Sequence, residues 1–117
     1  MGSEQQWVVE SQLERVIEHL LQLEHSPSQG PRRQWMISVN GARGEIGRRL
    51  TRTIRREVES GLAERYRQSR RKANLALLDH GEQDAARALP QDCPDAFDDP
   101  IADEWWPVSR HGLRDSG

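Results

Sequence analysis

Apolar residues recur every three or four positions through the first part of the chain, which is the spacing of one face of an amphipathic helix. The pattern predicts a first helix from about Gln5 to His25. Ser3 and Gln6 have the spacing of a capping box at its start. Pro27 disfavours helical geometry in the residue before it, so the helix should end there. The predicted apolar face consists of Val9, Leu13, Val16, Ile17, Leu20 and Leu21.

A turn rich in Ser, Pro and Gly leads into a second predicted helix that begins at Pro31, whose missing N–H is not needed in a first turn. Gly41, Gly44 and Gly47 interrupt this helix, and each costs about 1 kcal/mol relative to alanine in a helix interior. Either the glycines allow another backbone to approach closely, or the helix is weak and frayed. Its apolar positions are Trp35, Val39, Ala42, Ile46 and Leu50.

The segment Thr51-Arg52-Thr53 predicts a break and a new N-cap, because threonine is a poor interior residue and a fair cap. A third helix is predicted from about Ile54 to Leu78, with a stop at His80-Gly81. One continuous helix through Thr51 is the alternative that the sequence leaves open. The third apolar face comprises Ile54, Val58, Leu62, Tyr66, Ser69, Ala73, Ala76 and Leu77.

The pattern changes after Gly81, where prolines recur among aspartates and indicate extended chain. We therefore expect an all-α fold, an irregular antiparallel three-helix bundle over residues 1–80. An extended acidic Pro/Asp/Trp tail, residues 81–107, should dock on the bundle, with a short helix near Pro100 to Glu104, and residues 108–117 should be disordered. The expected core residues are Leu20, Leu21, Trp35 and Tyr66, and the expected tail anchors are Phe97, Trp105 and Trp106.

The 117 residues correspond to one domain. Leu, Ile, Val and Phe make up only about a fifth of them, so the core should be thin, and self-association would compensate for this. Cys93 is the single cysteine, which excludes an intrachain disulfide and suits a reducing compartment. No apolar run reaches the roughly 20 residues of a membrane span, and the first residues lack the features of a secretion signal. A cytoplasmic protein without membrane contact is expected.

Charge is distributed in blocks of opposite sign. Residues 42–72 carry ten arginines and Lys72 against four glutamates, a net charge of +7. Residues 73–117 carry three arginines against ten acidic residues, a net charge of -7. The basic block either contacts the phosphates of a nucleic acid or is neutralised by the acidic tail of this chain or of another copy, and the second interpretation is preferred. The candidate contact residues are Arg67, Arg70, Arg71 and Lys72.

No residue pattern predicts a catalytic group, a metal or a cofactor. His19 lacks the Glu-x-x-His spacing of a di-iron site, and it is expected to be a boundary histidine with satisfied ring nitrogens. The acidic neighbourhood of Cys93 disfavours the thiolate that a nucleophile requires. The acidic cluster lacks the regular spacing and central glycine of a calcium loop; its members are Asp98, Asp99, Asp103 and Glu104.

Five short segments follow one another in an order that is itself distinctive. They are HLLQLEHSP (19–27), RRQW (32–35), GLAERYRQSRRKA (61–73), LPQDCP (89–94) and DEWWP (103–107). Together, over roughly residues 10–107, they resemble the bacterial domain-of-unknown-function family number twenty-nine. The resemblance implies an all-helical fold and no established activity. The chain departs from the family in lacking an additional helical segment before HLL, and in having Thr51-Arg52-Thr53 where members tend to have a proline-containing turn.

These observations favour a non-enzymatic interaction or assembly module that forms homo-oligomers. The second hypothesis is a nucleic-acid-binding accessory or regulatory protein that uses the Arg-rich third helix. A small hydrolase or metal enzyme is the third, and no residue of the sequence points to its substrate.

Overall fold

The first helix, α1 (Ser3–His25), is the element on which most of the other helices pack. A computed structural model describes residues 3–94, 98–102 and 104–113 of the chain. The secondary structure in these ranges is helical, so the predicted all-α fold is confirmed. The further helices are α2 (Arg32–Arg49), α3 (Arg52–Ser60), α4 (Leu62–Asp79), α5 (Gln83–Arg87) and α6 (Asp98–Ile101). Helix α1 contacts α2, α3, α4 and α6, whereas α5 packs on α4.

The apolar face of α1 supplies the centre of the core. All six residues of the predicted face are buried, and Leu23 joins them one turn later. Burying one such side chain contributes about 1.5–3 kcal/mol. The opposing surfaces come from the apolar positions of α2, α3 and α4, including Val39, Ile46 and Tyr66. Trp35 is half-buried and packs against this cluster from its edge.

Helix α2 is continuous despite its three glycines. All three are exposed, and a Cβ atom built on Gly41 or Gly47 would meet no heavy atom within 4 Å. At Gly44 the nearest atom is an Nη1 of Arg48, one turn further along, at 3.7 Å. Helix α2 is therefore not frayed at its glycines, contrary to one interpretation of the sequence, and no other backbone of the described residues lies against them.

The break at Thr51 is present. Leu50 and Thr51 are not helical, and the Thr51 hydroxyl oxygen accepts a hydrogen bond from the Ile54 N–H at 3.1 Å, as an N-cap does. The alternative of one continuous helix is wrong. The predicted single helix from Ile54 to Leu78 is also wrong, because Gly61 separates α3 from α4. Glycine is the weakest common residue in a helix interior apart from proline.

Helix α4 ends as predicted at His80-Gly81, where Gly81 has a positive φ of 74°. The chain then turns back along α4, and α5 buries Ala85 and Ala86 against the core. Leu89 is also buried. Ser26 and Ser28, just after α1, donate hydrogen bonds to the two carboxylate oxygens of Glu82 at 2.7 and 2.6 Å. The ends of α1 and α4 are thereby joined.

The last part of the described chain crosses α2 and reaches the end of α1. Helix α6 lies slightly earlier than the predicted short helix, and Pro100 is buried. Trp105 and Trp106 are half-buried against the core, whereas Phe97 lies outside the described residues. Within the segment 108–113, Ser109 is buried and the Arg110 N–H donates to the Glu24 carbonyl at 2.8 Å. The division of the chain into bundle, tail and C-terminus stays a prediction.

None of the helices in the described ranges combines the length and the apolar character needed to cross a bilayer.

Candidate functional site

An open groove of about 570 Å³ runs between α4 and the segment of residues 91–93. The α4 side is formed by residues spaced three or four apart, which therefore lie on one side of the helix. At 1.5 Å per residue they extend over about 16 Å. The α4 residues that line the groove are Ala63, Tyr66, Arg67, Arg70, Arg71 and Asn74. The facing wall is formed by Gln91, Asp92 and Cys93.

Hydrogen bonds from α4 hold this facing wall in place. The buried Tyr66 donates its hydroxyl to the Pro90 carbonyl at 2.6 Å. Arg70 donates from Nε to the same carbonyl at 2.8 Å and from Nη2 to the Leu89 carbonyl at 3.2 Å. Leu89 is buried, so the backbone at this point is fixed by packing as well as by hydrogen bonds. The groove is therefore a formed feature of the fold.

Arg67 and Arg71 present exposed side chains at the groove. Arg67 forms an ion pair with Glu64, one turn earlier, and both members of the pair are exposed to solvent. Such exposed pairs contribute little, typically about 0–1 kcal/mol. An anionic partner can therefore replace Glu64 at Arg67 with little cost. Both guanidinium groups are accessible to a ligand in the groove.

The structure separates the four basic residues that the sequence grouped together. Arg67, Arg70 and Arg71 line the groove, but the role of Arg70 there is to hold the wall. Lys72 instead lies on the side of α4 that faces α1, where its Nζ is 3.1 Å from a carboxylate oxygen of Glu14. The other oxygen of that half-buried carboxylate accepts from Arg65. Two of the four side chains thus remain directed to solvent at the groove.

The ion pairs of the basic block, in the part of the chain that the structure describes, run to glutamates of the same helices and of α1. Glu45 pairs with Arg48 and Arg49, and Arg55 pairs with Glu59. The hydrogen bond from Arg48 lowers the pKa of the Glu45 carboxyl, with the Arg49 charge acting in the same direction. In the same way, the hydrogen bond from Gln68 and the charge of Arg67 lower the pKa of Glu64.

Arg43 has a structural role that the sequence interpretation missed. It counts toward the basic block, yet it is only 3% exposed. Its Nε donates to the Pro100 carbonyl at 2.7 Å and its Nη2 to the Trp105 carbonyl at 2.8 Å. Its guanidinium lies 4.8 Å from the centre of the Trp106 ring, in cation–π geometry. Position 43 falls on the buried face of α2, four residues after Val39. This spacing was the sequence feature from which the burial of Arg43 could have been predicted.

The family model of the domain of unknown function DUF29 matches residues 1–106. The chain belongs to the DUF29 family. The resemblance of the five ordered segments is thereby confirmed, and the family description assigns no activity. The match to DUF29 includes the whole groove, Arg43 and the tryptophans that Arg43 contacts. No curated protein and no solved structure matches the chain.

A second polar cluster of this DUF29 chain lies at the end of α1, around His25. This side chain is 1% exposed, and neither ring nitrogen has a hydrogen-bond partner within the described residues. Its Nε2 is 3.6 Å from a carboxylate oxygen of Glu24, to which Arg110 donates at 3.0 Å. Burial lowers the pKa of His25, opposed by the Glu24 charge and reinforced by Arg110 and His111. A ring nitrogen of His111 is 2.8 Å from the His25 carbonyl.

The remaining residues considered for chemistry take structural positions. A ring nitrogen of the half-buried His19 is 2.9 Å from the Gln22 side-chain oxygen. Cys93 is half-buried and packs against the core at the groove wall. In the residues that the structure describes, no group of three His, Cys, Asp or Glu side chains is placed to hold a metal ion. Asp103 lies outside these residues, and so do the side chains of Asp98 and Asp99.

Proposed function

We propose that this DUF29 domain is a non-enzymatic interaction module that binds an anionic partner in the α4 groove. The observation that carries the proposal is the position of Arg67, Arg70 and Arg71 on one open groove of about 570 Å³. Hydrogen bonds from Tyr66 and Arg70 to the Pro90 carbonyl hold the wall of the groove that faces α4. A cytoplasmic location, as the sequence predicts, is part of the proposal.

The chemistry of arginine favours binding over proton transfer. A guanidinium group stays protonated at any physiological pH, and its donors form a planar fork that matches carboxylates and phosphates. Arg67 and Arg71 are separated by four residues, so their side chains lie one above the other along α4. Since Arg70 already fixes the wall that faces them across the groove, little ordering of the backbone is required when a ligand enters. The groove thus suits a strand or helix that carries several carboxylates.

Nucleic acid is the second candidate, because the same side chains would contact phosphates and the basic block carries a net +7. Binding to single strands usually adds stacking of bases on aromatic rings. The aromatic residue that lines the groove, Tyr66, is buried and offers no such platform. This observation favours a protein partner over a nucleic acid.

Self-association is a further part of the proposal. The exposed glycines of α2 carry no side chains, so the solvent-facing side of that helix has little protruding from it at these positions, and Ile37 is exposed on the same helix. A second copy of the chain could approach this face closely. Light scattering at micromolar concentration tests this part, and a strict monomer at that concentration contradicts it.

Fluorescence anisotropy with two labelled probes tests the groove itself. The probes are an oligo-glutamate peptide and a single-stranded oligonucleotide of equal length, each measured at low and moderate salt. The groove variant is the double substitution Arg67→Glu and Arg71→Glu. The matched control is Arg52→Glu with Arg56→Glu, which reverses two exposed arginines of α3 at the same four-residue spacing.

The groove proposal predicts that oligo-glutamate binds the wild type and the control, and that the groove variant loses about tenfold or more. An equal loss in both variants would show that only the overall charge acts, and would overturn the proposal. Absence of binding to either probe at low salt would overturn it as well. Tighter binding of the oligonucleotide, lost only in the groove variant, would establish the nucleic-acid alternative.

A further inference from the structure

Two exposed leucines continue the basic side of α4 beyond the groove. Leu75 is 58% exposed and Leu78 is 45% exposed. Leu75 follows Arg71 by four residues, as Arg71 follows Arg67, and Leu78 is three residues further. Residues at this spacing lie on one side of a helix. The side of α4 next to the groove is therefore basic in its first half and apolar in its last turns.

We call the four residues Arg67, Arg71, Leu75 and Leu78 the basic–apolar surface. It extends over eleven residues, which is about 16 Å at 1.5 Å per residue. Asn74 lies between its two halves and also lines the groove, so the surface and the groove are continuous. Isolated exposed leucines are normal on a protein surface. These two are adjacent to each other and to the accessible arginines, which is the arrangement of an interaction surface.

We infer that the partner presents an acidic amphipathic helix to the basic–apolar surface. This inference rests on the proposed function and specifies its ligand. Carboxylates of the partner helix pair with Arg67 and Arg71, while its apolar side chains cover Leu75 and Leu78. The partner helix has the same residue spacing as α4. If its carboxylates lie one to two turns from its apolar residues, the carboxylates reach the arginines while the apolar residues cover the leucines. This is recognition of an amphipathic helix through anchors spaced three and four residues apart.

Charge and polarity together select this partner. The accessible basic side chains require negative charge, which excludes basic or neutral amphipathic helices. A nucleic-acid backbone supplies negative charge along its whole length, and it would leave Leu75 and Leu78 without an apolar contact. An acidic segment without apolar residues has the same shortcoming. Only a partner with both features neutralises the arginines and also removes the leucines from water. The free energy gained by removing them scales with the buried apolar area.

Two labelled peptides of about fourteen residues, four helical turns, test the inference. They have identical charge and length. The first carries glutamates on one half of a helical face and leucines on the other, and the second has glutamine in place of each leucine. Binding is measured by anisotropy at one salt concentration. The protein variants are Leu75→Gln with Leu78→Gln, the groove variant Arg67→Glu with Arg71→Glu, and the control Trp7→Gln, a tryptophan of α1 that is 66% exposed.

The leucine peptide is expected to bind the wild type at least about tenfold more tightly than the glutamine peptide. The leucine variant should bind both peptides equally, the groove variant should bind neither well, and Trp7→Gln should behave as the wild type. If the wild type binds both peptides with equal affinity, the inference is overturned while the proposed function stands. If neither peptide binds, both are overturned. Circular dichroism establishes that each variant keeps its helices.

An oligonucleotide of the same charge serves as competitor in the same assay. The inference predicts that it displaces the leucine peptide only weakly. Displacement at concentrations below those of the leucine peptide itself would overturn the inference in favour of nucleic acid.

Discussion

The guanidinium group of Arg43 on α2 lies over the indole ring of Trp106, with 4.8 Å between the guanidinium carbon and the ring centre. The same side chain reaches two backbone carbonyls of the tail, so a single buried residue fixes α6 and the tryptophan segment on the helices. The position of the tail therefore depends on a residue of α2 that is only 3% exposed.

Replacing Arg43 by alanine should lower the free energy of unfolding by about 2–4 kcal/mol, because the Pro100 and Trp105 carbonyls lose charged donors in a buried place. Arg43→Lys should recover only part of this loss, since an ammonium group cannot reproduce the planar fork. Urea unfolding followed by tryptophan fluorescence measures both. Arg33→Ala, an exposed arginine of the same helix, is the control. Equal effects at positions 43 and 33 would contradict the tail contact.

Neighbouring arginines of α4 should respond differently to the same change. Arg70→Gln removes two hydrogen bonds to the wall of the groove, so it should cost about 1–2 kcal/mol of unfolding free energy. Arg71→Gln changes an exposed side chain and should stay within about 0.5 kcal/mol of the wild type. For binding of oligo-glutamate, Arg71→Gln should weaken affinity without any loss of stability. A stability loss at Arg71 equal to that at Arg70 would refute the assignment of the wall to Arg70.

The buried His25 should make stability depend on pH near neutrality. Because burial lowers its pKa below the ordinary value of 6.5, the unfolded chain binds a proton at a pH where the folded chain does not. Stability is therefore lost as the pH falls from about 6.5 through the lower pKa of the folded state. Urea unfolding between pH 7.5 and pH 5 measures this slope, which should be flatter in His25→Leu. An NMR titration of the His25 ring with a midpoint at or above 6.5 would contradict the prediction.

The carboxyl groups of Glu45 and Glu64, both partly exposed, affect stability in a separate, more acidic pH range. Hydrogen bonds from Arg48 and Gln68 lower the pKa values of Glu45 and Glu64 below their ordinary value of 4.5. Their contribution to stability is present above that pH and is lost only as the pH falls further. The pH range over which His25 changes the stability can therefore be measured without interference from these two carboxyl groups.

Alanine at Gly41 or Gly47 should stabilise the protein by about 0.5–1 kcal/mol each, because the helix gains propensity and no atom obstructs the new Cβ. Gly81→Ala is the opposite control, since its φ of 74° is unfavourable for alanine. Thermal unfolding measures all three. If copies of the chain associate through α2, light scattering should show weaker association of the two stabilised variants. A loss of stability at position 41 or 47 would mean that this face is occupied.

Local spacing was sufficient to predict the face of α1 and the cap at Thr51, because both depend on residues within one or two turns. It failed at Gly61, since Val58 and Leu62 continue the apolar pattern across the break. It also failed for Arg43, whose hydrogen-bond acceptors lie 57 and 62 positions further along the chain.

The groove, too, was only partly predictable from local spacing. The sequence interpretation named Arg67, Arg70, Arg71 and Lys72 together as candidate contacts, but it did not predict that the first three line one groove. The wall opposite them depends on the packing of Leu89 and on the hydroxyl of Tyr66, 24 positions before the carbonyl to which it donates. A long-range contact of this kind has no local pattern. For His25, its neighbours in the sequence, Glu24 and Ser26, gave no indication that residues 110 and 111 pack against the end of α1.

The long separation between Arg43 and its acceptors imposes an order on folding during synthesis. Pro100 follows Arg43 by 57 residues, so at about 5–20 residues per second the ribosome produces it about 3–11 seconds later. The last residue of α2, Arg49, is synthesised early in that interval, and the guanidinium group of Arg43 remains hydrated until its acceptors are made. The tail can therefore close over α2 only after residue 100 has been synthesised, and nascent chains that stop before it retain a solvated cation at the edge of an unfinished core.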